Sequence, residues 1–118
     1  MSDARAIALE RIQHMVEAAD DIAGYVARGR AAFDADAAVR DAILFRIVVI
    51  GEAAKAVVQR DPDLAAILAD VEWSALAKMR DRIAHQYWAV DDEIVWETAV
   101  DELPIMQALL TAALARVR

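Results

Sequence analysis

The chain is expected to fold as an all-α domain, an antiparallel bundle of four to five helices, on three grounds. Alanine supplies 28 of its 118 residues, against 3 glycines and 2 prolines, so strong helix formers dominate and breakers are few. Aromatic residues make up 6%, without the aromatic enrichment that a sheet protein carries. Apolar residues also recur in steps of three and four along successive segments. The length gives one domain over residues 1–118, enough for a single hydrophobic core and too little for two.

Each element follows from its local pattern. Leu9, Ile12, Val16, Ala19, Ala23 and Val26 form one buried stripe of a first helix. Arg28-Gly29-Arg30 should end it, because glycine accepts a left-handed cap and arginines complement the negative helix end. After a short linker, Asp34 or Asp36 can cap a second helix with the stripe Val39, Ile43, Ile47, Ile50, Ala54 and Val57. Leu44, Phe45, Val48 and Val49 make that helix apolar enough to belong in the centre. Gly51 inside it costs about 1 kcal/mol relative to alanine, so a neighbouring helix should approach closely there. Asp61-Pro62 opens a short third helix over Asp63 to Ala69, with aspartate as cap and proline in the first turn. Ser74 is the expected cap of a fourth helix with Leu76, Met79, Ile83 and Tyr87 inward. Asp91 starts a fifth, whose stripe is Ile94, Thr98, Ile105, Leu109 and Ala113, and Pro104 predicts a kink or brief break within it.

Composition narrows the function. Cysteine is absent, which excludes disulfides and thiolate metal sites and fits a cytoplasmic setting. The N-terminal Met1-Ser2-Asp3-Ala4-Arg5 does not resemble a signal or transit peptide. The most apolar stretch, Ala42 to Val58, is interrupted by Arg46, Glu52 and Lys55, so it reads as a core helix rather than a membrane span. A net charge of −7 repels nucleic acid at long range, so any RNA contact must be local. Hydrophobic residues reach 59%, high for so small a domain, and imply self-association as a homodimer through an apolar face.

The candidate site is Arg80-Asp81-Arg82-Ile83-Ala84-His85-Gln86-Tyr87, which holds one of the chain's two histidines and its densest cationic patch. Histidine exchanges protons near neutrality and arginine binds phosphate bidentately, so the pair suggests phosphate-ester chemistry. On a regular helix Arg80 and His85 point about 140° apart. Either the helix ends between them and the backbone turns, or a dimer completes the site, supplying two histidines as acid and base. Arg80, with Arg82 and Lys78, would bind the scissile phosphate without a metal, and Asp81 could orient His85. A solvated charged helix face is an equal alternative, and Tyr87 on the apolar stripe reads as a core residue with its hydroxyl at the rim. Glu52 on its apolar helix either pairs with Lys55 or reaches a polar site such as these arginines, ionic pairing being the expectation. His14 with Glu10, Glu17 and Asp21 reads as ordinary surface rather than a metal site. No Gly-rich phosphate loop, Gly-x-Ser-x-Gly nucleophile or zinc motif is present, and no cofactor is expected.

Arg80, His85 and Tyr87 match the Arg-x4-His-x-Tyr motif of HepT-like proteins, members of the HEPN superfamily of helical ribonucleases. The chain resembles that family further through Ile50-Gly51-Glu52-Ala53-Ala54-Lys55, Trp73, Met79-Arg80, Val90-Asp91, Ile94-Val95-Trp96 and Leu103-Pro104. The resemblance implies a toxin of a toxin–antitoxin pair, a metal-independent endoribonuclease whose homodimer unites both motifs. It also implies an MntA-like nucleotidyltransferase antitoxin that transfers AMP to Tyr87. Asp81 departs from the asparagine often found after the motif arginine and adds negative charge where RNA phosphate would bind. Two other classes remain: a non-catalytic helical module that binds a nucleotidyltransferase partner, and a nucleotide-binding sensor.

Overall fold

A computed structural model describes residues 2–117 of the chain. Ser2 accepts a hydrogen bond from the Arg5 amide and caps helix α1, Asp3–Val26. Its buried line is Ala8, Ile12, Met15, Ala18, Ala19 and Ile22. That face is turned slightly from the expected stripe: Ile12 and Ala19 are common to both, Leu9, Val16 and Val26 pack half-buried on its flank, and Ala23 is exposed. Gly29 adopts φ 92°, the positive value that favours glycine, immediately after α1. The expected linker is itself a helix, α2, Arg30–Ala35, which buries Phe33 against Trp96 with ring centroids 5.2 Å apart.

Of the two candidate caps, Asp36 is the one used. It accepts from the Ala38 amide at 2.9 Å and opens α3, Ala37–Arg60, while Asp34 pairs with Arg30. All six expected stripe residues of α3, from Val39 to Val57, are buried. Fully burying an aliphatic side chain of this size is worth roughly 1.5–3 kcal/mol, so α3 anchors the core. Asp61 caps α4, Pro62–Ile67, which ends two residues before the expected Ala69.

Helix α5 spans Trp73–Gln86 and begins one residue before Ser74, which is not its cap. Glu72 occupies that position without a side-chain hydrogen bond. The start of α5 is fixed by Trp73, whose buried indole N–H donates to the Ala65 and Leu68 carbonyls at 3.2 and 3.1 Å. After α5 come a 3-10 turn at Tyr87–Ala89, helix α6 at Asp92–Glu97, a π turn at Thr98–Glu102 and helix α7 at Leu103–Val117. The break expected at Pro104 is this π turn, in which the Leu103 amide reaches the Thr98 carbonyl. The wide turn rotates α7 relative to α6, so Ile105 and Ile94 of the expected stripe are exposed while Val95, Leu103, Met106 and Leu110 are buried.

Helices α1 and α3 run antiparallel: Arg5 pairs with Asp61 at one end and Arg46 with Asp21, at 3.4 Å, towards the other. Helix α3 also packs on α5, and α1 on α7. The all-α antiparallel expectation therefore holds, with seven α-helices where four to five were expected and no strand among the described residues. The bundle measures 46 × 27 × 20 Å. No helix among the described residues is long and apolar enough to cross a membrane.

Candidate functional site

The site is built where α5 lies on α3. At Gly51 a side chain is excluded: an added Cβ would overlap the Cβ of Arg80 and sit 2.7 Å from the Leu76 carbonyl. The close approach expected at this glycine is real, and its partner is the segment carrying Arg80. With the backbones this near, side chains flanking Gly51 on α3 meet those of α5. Arg80 Nε lies 2.6 Å from Glu52 Oε1, and Arg80 Nη1 donates to Asp81 Oδ1 at 3.0 Å. The Nε–H is not directed at the Glu52 oxygen, so Nε is buried in ionic contact but without a hydrogen bond. Lys55 Nζ donates to the same Asp81 oxygen at 3.1 Å.

Glu52 does not pair with Lys55 along α3, the favoured expectation; it reaches across helices to Arg80, the alternative, while Lys55 is taken by Asp81. Asp81 does not orient His85; its carboxylate is held by Lys55 and Arg80, and these two bonds, Lys55 first, push its pKa below the usual carboxylate range. The four groups carry two positive and two negative charges, so the pocket around Arg80 is close to neutral before any ligand arrives.

The helix does not end between Arg80 and His85. It continues to Gln86, which removes the first of the two explanations for their spacing and leaves the side chains about 140° apart. His85 is exposed in the last turn, with no hydrogen bond or ion pair among the described residues. Lys78 and Arg82, one turn apart, line an open groove of about 370 Å³ with Ile83, Asp91 and Glu102, on the α6 side of α5 and away from Arg80. Neither makes an ion pair among the described residues. The predicted cations therefore divide between two faces.

Tyr87 is not a core residue. It falls beyond α5 in the 3-10 turn, 62% exposed, because Gln86 leaves the helical conformation at φ −145°, ψ 49° and turns the chain off the apolar stripe. Its ring meets that of Trp88 edge-on at 5.4 Å. Sequence reasoning passed over Trp88 and over Lys55's bond to Asp81. An aromatic neighbour of the motif tyrosine was a usable signal for the first; nothing local indicates the second, which depends on the helix crossing. No group of three or more His, Asp or Glu side chains among the described residues could hold a metal ion, and His14 is no exception.

The family model described as "Ribonuclease HepT-like" matches residues 15–113, which include the whole site. A Thermococcus cleftensis protein named "Probable ribonuclease HepT" is 28% identical over 75 residues, covering 64% of this chain and 66% of the relative. A Methanocaldococcus jannaschii protein provisionally named as an RNase is 39% identical over 67 residues, 57% of this chain and 55% of the relative. One from Caldanaerobacter subterraneus, provisionally named in the same way, is 32% identical over 74 residues, 58% and 63%. The matches span between about half and two thirds of these relatives' lengths. No solved structure matches the chain significantly. With its helical bundle, its Arg80-to-Tyr87 segment and a family match over most of its length, the chain belongs to the HepT-like family.

Proposed function

We propose that the chain is the toxin of a toxin–antitoxin pair, a homodimeric endoribonuclease that needs no metal and is silenced by adenylylation of Tyr87. The observation that carries this reading is the unbroken α5: Arg80 and His85 diverge on one helix, so a single subunit does not aim both at one phosphate. Pairing α5 with its twin about a two-fold axis offers a guanidinium and an imidazole from opposite sides. One imidazole takes the proton of the ribose 2′-hydroxyl, whose oxygen attacks phosphorus; the P–O5′ bond breaks and the second imidazole protonates the leaving oxygen. The products are a 2′,3′-cyclic phosphate and a 5′-hydroxyl. Arg80 stabilises the added negative charge, held in place by Glu52 and Asp81. Because those carboxylates neutralise much of its charge, Lys78 and Arg82 act as outlying phosphate contacts.

The exposed phenol of Tyr87 suits modification by a partner nucleotidyltransferase. Its oxygen would attack the α-phosphorus of ATP and release pyrophosphate. The attached phosphate would then lie beside His85 and compete with RNA for the same cations. Tyr87→Phe would remove the acceptor and leave folding unchanged, since the hydroxyl is at the surface.

The test is RNA cleavage by purified protein in chelator. Cyclic phosphate ends that disappear in His85→Ala, with the circular dichroism spectrum intact, support the assignment; full activity in that variant refutes it. Light scattering should give twice the chain mass of 13.0 kDa. The carboxylate contacts on Arg80 favour one rival, a non-catalytic helical module that docks a nucleotidyltransferase. That reading wins if Arg80→Ala alters complex formation and leaves every RNA profile unchanged.

A further inference from the structure

Three tryptophans distinguish the rings that the fold needs from one that it does not. Trp73 is buried and bonded to two carbonyls, and Trp96 packs on Phe33, so both are explained by the core. Trp88 is 72% exposed, the largest exposure of any large apolar side chain among the described residues. It makes no hydrogen bond there, and its one ring contact is a perpendicular one with Tyr87, the planes at 82°. A single perpendicular neighbour leaves at least one face of the indole open.

The turn carrying these rings is held at both ends. Gln86 closes α5 on one side; on the other, Val90 packs against the core and Asp91 caps α6 by accepting from the Glu93 amide at 2.8 Å. Trp88 follows His85 by three positions, and Arg82 lies one turn before His85 on the same side of α5. An open aromatic face on the turn that directly follows an imidazole and a cation has the chemistry to hold a nucleobase while its phosphate reaches towards the charges.

We infer that Trp88 is a base-stacking platform that makes the chain select single-stranded RNA, a reading that rests on the ribonuclease function proposed above. The protein's net charge of −7 explains why such a platform is needed: phosphate attraction is weak, so stacking must supply a large share of affinity. A duplex keeps its bases stacked on one another and offers the indole nothing.

The experiment uses the whole 118-residue chain carrying His85→Ala, so the probe survives, and a fluorescein-labelled single-stranded RNA 12-mer read by anisotropy. Adding Trp88→Ala should weaken binding roughly five- to 150-fold, while Trp88→Phe, which keeps a ring, retains most of the affinity. Binding to the duplex form of the 12-mer should be weak and indifferent to either change. RNA should also quench a component of indole emission that Trp88→Phe lacks. Unchanged single-strand binding in Trp88→Ala overturns the inference while the ribonuclease reading stands. So does conversion of a dimer to a monomer by Trp88→Ala, which would make the ring a subunit contact. If folded protein binds neither RNA and wild type cleaves none, the ribonuclease reading itself fails and the platform with it.

Discussion

Replacing Gly51 with alanine sets two physical effects of known size against each other. Helix propensity alone favours the change, because alanine in a helix interior is about 1 kcal/mol better than glycine. Packing opposes it. The new methyl would overlap Arg80 Cβ and lie 2.7 Å from the Leu76 carbonyl, and neither obstacle is the free end of a flexible side chain. A carbon–oxygen contact relaxes at about 3.3 Å, so α5 must retreat by at least roughly 0.6 Å along its contact with α3. Overpacking costs about 1–3 kcal/mol, and direct overlap with Arg80 Cβ places this case at about 2–3, so after the propensity gain the net outcome is destabilisation by about 1–2 kcal/mol. For a domain of this length that lowers Tm by roughly 3–10 °C. Thermal melts followed by circular dichroism at matched protein concentration measure it. Gly24→Ala is the internal control: nothing lies within 4 Å of an added methyl and the residue is exposed, so propensity should act alone and raise Tm by a few degrees. A Gly51→Ala melt at or above wild type would refute the claim that α5 is pressed against this glycine.

Other perturbations probe other joints. Trp73→Phe keeps a ring but leaves the Ala65 and Leu68 carbonyls without their indole donor, and should cost about 1–3 kcal/mol in urea unfolding; a loss below about 0.5 kcal/mol would mean that water replaces the bond. Asp61 has its pKa depressed, first by the hydrogen bond from Arg5 and then by the Leu64 amide. A depressed folded-state value contributes stability above the unfolded carboxylate range, lost as pH falls through the folded value. Asp61→Asn should therefore lower the urea midpoint at pH 7, with the gap to wild type beginning to narrow as pH falls below the unfolded carboxylate value of about 3.9 and closing only below the depressed folded value; a gap that stays constant as pH falls through the carboxylate range contradicts the assignment. Glu52→Gln frees Arg80 of one carboxylate contact and should strengthen RNA binding while slowing cleavage, because the guanidinium gains net charge and loses its support. A gain in both affinity and rate would show that Glu52 restrains Arg80 without positioning it.

Helix type and helix caps were readable where one residue decides the outcome locally. Asp36, Asp61 and Asp91 cap α3, α4 and α6 as their side chains dictate, and every expected stripe residue of α3 is buried because that helix is covered on two sides. Errors arose where a distant group set the geometry. Ser74 has the chemistry of a cap, yet α5 starts at Trp73 because the indole is tied to α4 and the segment after it. Ile105 fits a regular helical period and is exposed because the π turn before Pro104 adds to the turn. Tyr87 sits on the α5 stripe by counting, and Gln86 turns it outward.

The sequence by itself determined that the chain is helical, that α3 is its centre, and which eight residues gather the histidine and arginines that the proposed chemistry would use, since propensity, period and side-chain type are properties of neighbours along the chain. Tertiary structure alone decided that Arg80 is clasped by Glu52 and Asp81, that Lys55 holds Asp81, and that Arg82 and Lys78 lie on a different face from Arg80. Those contacts depend on how closely and at what rotation α5 meets α3. That crossing is set by packing summed over both surfaces, with one missing side chain, at Gly51, permitting it.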